Sequence, residues 1–108
     1  MVDFARVKWI LDNAITTWQN DPNNENPADL SGHGASFSWA TREALLAAVG
    51  HGVKLIQVQG KGQGSKANLV IDLRTGINGQ NRMPRGGPFV PETQIQEIQD
   101  WIEADCPP

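Results

Sequence analysis

The chain has 108 residues, 39% of them hydrophobic, and a formal net charge of −3. That length supports one domain, residues 1–108, with a single modest core, and four Trp and three Phe supply large areas to bury in it. The charges are mixed in sign with no long basic run, which argues against nucleic acid as the partner. The apolar runs fall far short of the ~20 residues of a membrane-spanning helix, and the single Cys106 excludes an internal disulfide framework or a Cys-rich zinc site.

The chain opens Met-Val-Asp-Phe, with no signal-peptide pattern, and enters an amphipathic stretch at once. Phe4, Val7, Leu11, Ala14, Ile15 and Trp18 recur at helical spacing, which predicts a first helix over 3–20 with Asp3 as its cap. Trp9 and Ile10 lie beside this stripe and are expected to widen it. The helix gives way to the polar, proline-marked run 20–27. The next stretch, 31–39, sets His33 between Gly32 and Gly34, followed by Phe37 and Trp39.

Thr41 is placed to cap a second helix, with Ala44, Leu45, Ala48 and Val49 as its apolar face and Gly50 as its stop. Residues 51–58 alternate weakly and read as extended. The glycine-rich run 60–64 reads as a mobile turn; it lacks the preceding buried strand and the full spacing of a phosphate-binding loop. Ser65 is expected to cap a third helix over 66–74 that buries Ala67, Leu69, Val70 and Leu73, and Thr75-Gly76 would end it. Pro91 suits the first position of a last helix whose buried stripe is Ile95, Ile98, Trp101 and Ile102. With no strong strand pair, the fold class is all-α: about four helices joined by long irregular loops.

Between the third and fourth helices runs Arg82-Met83-Pro84-Arg85-Gly86-Gly87-Pro88-Phe89-Val90-Pro91. Its prolines and glycines present one methionine between two arginines at a fixed place. Met83 suits a thioether ligand to haem iron or copper, and equally an irregular gap in a core. Arg82 and Arg85 suit an anion or a partner's carboxylates, and equally the helix carbonyls nearby. His33 and His51 are the only imidazoles. Either would complete a noncovalent haem site with Met83, and both with Met83, or with Cys106, would hold copper; their spacing matches no compact metal motif. The acids Asp12, Asp29, Glu43 and Asp72 are scattered, and no nucleophile lies beside a base in sequence.

The order of these elements resembles the small class I cytochrome c-like domains of environmental bacteria. The resemblance rests on Thr41-Arg42-Glu43-Ala44-Leu45-Leu46, on Lys66-Ala67-Asn68-Leu69-Val70, and above all on the segment from Arg82-Met83-Pro84 through Trp101-Ile102 to Cys106-Pro107. It covers about two thirds of the chain. It implies a cytochrome c-like helical bundle, with Met83 at the axial-ligand position, and an exported bacterial protein, periplasmic or secreted. The family attaches its haem through Cys-x-x-Cys-His near the end of the first helix. Here Ala14-Ile15-Thr16-Thr17-Trp18 stand at that place, with neither thiol nor imidazole, and thioether links to haem are chemically impossible. Trp18, Phe37 and Trp39 are then expected to occupy the space of the cofactor.

These readings combine into a haem-free accessory domain that binds a protein partner or a small apolar ligand, excised from a larger bacterial protein or paired with a redox enzyme. Its expected contact residues are Trp18, His33, Phe37, Trp39, Arg82, Met83 and Arg85. Two alternatives stand beside it. One is an electron-transfer module with noncovalent haem or copper held by Met83 and a histidine; the other is a small enzyme using the vacated cleft.

Overall fold

The computed structural model describes residues 2–20, 38–50, 52–76, 83 and 88–108. Its described elements are α1 (Phe4–Gln19), α2 (Arg42–Ala47), the short antiparallel pair β1 (Val49–Gly50) and β2 (Val53–Lys54), α3 (Asn68–Arg74) and α4 (Glu92–Glu103), with a 3₁₀ turn over Gly64–Lys66. The architecture is helical, with little strand. His33, Phe37, His51, Arg82 and Arg85 lie outside the described residues.

The centre is α4, which packs against α1, α3 and the 3₁₀ turn. Ile95, Ile98, Trp101 and Ile102 are all buried, as their spacing predicts. Trp101 is the largest fully buried side chain. Phe4 tilts against its ring at 6.2 Å between centroids, and the Trp101 indole N–H donates to the Pro107 carbonyl at 2.7 Å. A buried tryptophan truncated to alanine costs about 3–5 kcal/mol, a large share of the stability of one small domain.

Helix α1 begins as expected: the Asp3 carboxylate accepts the Arg6 amide N–H at 2.9 Å. Val7, Ile10 and Leu11 are buried, while Phe4 and Ala14 pack on the edge of the core. Trp9 does not widen the stripe; it is 49% exposed. The Arg6 guanidinium lies over its ring, 4.6 Å from the centroid. The same guanidinium grips Glu97 of α4 through two hydrogen bonds of 2.9 and 3.0 Å. The indole therefore stacks under a cation outside the core, which satisfies its π face without burying it.

Thr41 caps α2 by accepting the Ala44 amide at 3.0 Å. The helix is shorter than its apolar face predicts. It ends at Ala47, and Ala48 is already extended. Val49 then pairs with Lys54, and Gly50 with Val53. The hairpin buries Ala48, Gly50, Leu55 and Ile56 by pairing instead of by extending the helix.

Helix α3 starts at Asn68, and Ser65 lies inside the 3₁₀ turn without capping it. The cap comes from a distance: the Gln57 side chain accepts the Asn68 amide and donates to the Lys66 carbonyl, each at 2.8 Å. One amide side chain thus satisfies the helix start and the end of the preceding turn. Ala67, Leu69, Val70 and Leu73 are buried as expected. Arg74 then ties the end of α3 to α4, at 2.7 Å to Glu92 and 3.0 Å to Gln99.

The glycine-rich run is packed in place. The Gly60 amide donates to the Ile102 carbonyl at 2.9 Å, and the Gly62 amide to the Glu103 carboxylate at 3.1 Å. An amide that a phosphate loop would aim at a ligand is here committed to the end of α4. Pro91 is the cap of α4 itself, with its carbonyl accepting the Gln94 and Ile95 amides at 2.9 and 3.0 Å.

Candidate functional site

Three of the expected contact residues, Trp18, Trp39 and Met83, fall within the described structure. Trp18 sits near the C-terminal end of α1, half-buried. Trp39 is half-buried just before α2, packed on the edge of the core. Its indole N–H donates to the Asp12 carboxylate at 2.8 Å. Asp12 also receives Lys8 at 2.7 Å, one helical turn away on α1. Burial would raise the Asp12 carboxyl, but the hydrogen bonds from Lys8 and Trp39 outweigh it and hold it below the ordinary carboxylate range. Trp39 is therefore pinned to α1 at one edge of its ring.

Met83 is half-buried, and its backbone N–H donates to the Asp72 carbonyl of α3 at 3.1 Å. The methionine segment thus begins on α3 and ends on α4. At its far end Val90 is buried with 3% exposure, whereas Phe89 stands 43% exposed. Pro88 and Pro91 bracket the pair and restrict its backbone. The segment holds one apolar side chain in the core and turns an aromatic ring outward.

Asp72 is the buried acid among the described residues, at 6% exposure. Sequence reasoning counted it only among the scattered acids. A signal is there: Asp72 follows Leu69 by three, so helical geometry sets the two on one face. Phe89 belongs to the methionine segment expected to make contact, but the sequence does not single it out from the rest of that loop. Its signal is the Pro-Phe-Val-Pro frame, in which adjacent extended residues point to opposite sides.

The donor set can be compared with what a metal or haem needs. The only thiol, Cys106, is fully buried beyond the end of α4. Burial pushes it up to about 11, with the Arg42 charge opposing and the Asp105 charge adding. A buried, protonated thiol at that place does not fit thioether attachment of haem near α1. Among the described residues, no three His, Cys, Asp or Glu side chains gather as a metal site. No helix among them is long and apolar enough to cross a membrane. No family model, curated protein or solved structure matches the chain.

Proposed function

We propose that this chain is a haem-free, cytochrome c-like accessory domain that works by binding, and that its contact face includes Met83, Phe89 and Trp39. The observation that carries this reading is the opposed burial of Phe89 and Val90 at the end of the methionine segment. An exposed aromatic is ordinary when isolated. This one differs because a buried neighbour and two flanking prolines fix where it points. Restricted aromatics make effective interface anchors, since little freedom is lost on binding. Among the described residues Trp9 is also a large exposed aromatic, and its ring lies under the Arg6 guanidinium.

The occupant is a protein partner or a small apolar ligand, and the resemblance to exported cytochromes carries a periplasmic or secreted setting. The missing Cys-x-x-Cys-His supports the haem-free part of the reading. Photo-crosslinking tests the face. A benzoyl-phenylalanine introduced at position 89 captures a discrete partner band in the native host, while the same group at the exposed α4 position of Gln96 does not. Equal yields at the two positions would remove Phe89 from any contact face.

A further inference from the structure

We propose that the segment following α4, Ala104 to Pro107, is a strained latch that ties the start of α2, three residues after Trp39, to the exit of α4, and that it opens locally without global unfolding. The helix ends with paired reverse hydrogen bonds, Asp105 N–H to the Ile102 carbonyl at 3.0 Å and Cys106 N–H to the Trp101 carbonyl at 2.9 Å. This ending requires a left-handed residue after the cap, a place that glycine usually takes. Here Asp105 occupies it with φ 70°, and Cys106 follows at φ 53°. Each side chain enters that region against a steric penalty.

The turn sends the chain back over the core. The Cys106 side chain is fully buried, and its carbonyl accepts the Arg42 Nε–H at 2.6 Å. The Pro107 carbonyl accepts the Trp101 indole N–H at 2.7 Å. Arg42 is the first residue of α2 and follows Trp39 by three. Closure of the segment thus fixes the start of α2 to the exit of α4. Two reverse backbone hydrogen bonds, two side-chain hydrogen bonds and one small apolar side chain hold it shut against two left-handed residues. Segments held this lightly open at lower cost than the helices they close on. The consequence for binding rests on the contact face proposed above; the opening itself does not.

Cys106 reports the opening, because it is the only thiol and is fully buried when the latch is shut. Iodoacetamide labelling of the full chain, followed by mass spectrometry across a urea series, measures it. The expected rate is nearly independent of urea at low concentration. Arg42→Ala speeds it about fivefold or more, and Asp105→Gly, which relieves strain and keeps the fold, slows it about fivefold. In the same Arg42→Ala protein the indole N–H resonance of Trp39 shifts while that of Trp9 stays. Labelling that follows global unfolding in its urea dependence, or that ignores Asp105→Gly, would overturn the latch. An unmoved Trp39 resonance would overturn its link to the contact face.

Discussion

Gly64→Ala adds a single methyl group to a turn that the sequence suggests is free, and the structure makes it a severe change. A Cβ at position 64 would run into the backbone carbonyl oxygen of Gln99 and lie 2.7 Å from both Gln99 Cγ and Glu103 Cγ, where ordinary contact begins at 3.4 Å. The two long side chains can swing aside. The carbonyl belongs to the middle of α4 and cannot, so the turn must retreat by roughly 1 Å. Retreat also stretches the bonds from Gly60 to Ile102 and from Gly62 to Glu103. Overpacking costs about 1–3 kcal/mol, and a weakened hydrogen bond adds about 1 kcal/mol. The stiffer unfolded chain returns about 0.4–1 kcal/mol. The net loss is about 1–3.5 kcal/mol, a fall in Tm of at least roughly 4 °C for a domain of this size. Thermal melts and urea titrations followed by tryptophan fluorescence measure it, with Ser65→Ala at the exposed neighbouring position as the control, expected within about 0.5 kcal/mol of the parent. A Gly64→Ala midpoint within about 3 °C of the parent would show that the turn is not held against α4.

Three further outcomes follow from the titrating groups and the methionine. The Cys106 thiol rises from 9.0 to about 11 on folding, so the stability it confers is complete below pH 9 and is lost as pH climbs through 11. Urea midpoints of the parent and Cys106→Ala therefore converge over that interval, by roughly 3 kcal/mol at most, and parallel curves would refute the buried thiol. Glu97 is held below its ordinary 4.5 by the hydrogen bonds from Arg6, against burial. Its stabilisation is present above pH 4.5 and disappears as pH falls through the lower folded value, so Glu97→Gln is slightly less stable at pH 7 and matches the parent in acid. Haemin titrated into the parent and into Met83→Leu gives the same absorption spectrum; a Soret band that moves with the substitution would replace the accessory-domain reading with noncovalent haem.

What could be read from the sequence divides by the range of the interactions involved. The stripe of α4 and the caps Asp3 and Thr41 depend on residues within a turn or two, and all are where the spacing puts them. The cap of α3 was misassigned to Ser65 because its real donor and acceptor, Gln57, lies 11 residues from Asn68. Trp9 lies beside the helical stripe in sequence, and in the fold its ring lies under a guanidinium of the same helix, outside the core. The end of α2 was lost to a pairing between Val49 and Lys54 that no local propensity announces. Gly64 looked like freedom and is close packing, since a missing Cβ serves either purpose and only the neighbour decides. The candidate site was half legible: the place of the methionine segment was, the opposed pair Phe89 and Val90 was not.

The methionine segment itself separates into two questions, where residue 83 sits and what its sulfur does. Its position follows from how α3 ends. The last carbonyls of a helix lack intrahelical donors. In α3 the amides of both Thr75 and Gly76 converge on the Ile71 carbonyl, which leaves the Asp72 carbonyl to be satisfied from outside the helix. The Met83 amide supplies that bond at 3.1 Å. Any residue but proline would do the same, so the place of residue 83 is built into the termination of α3. That bond uses only the backbone of Met83, so the sulfur is tested separately. Met83→Leu keeps the amide and nearly the volume, which makes it the substitution that changes sulfur chemistry while leaving the backbone bond to Asp72 in place.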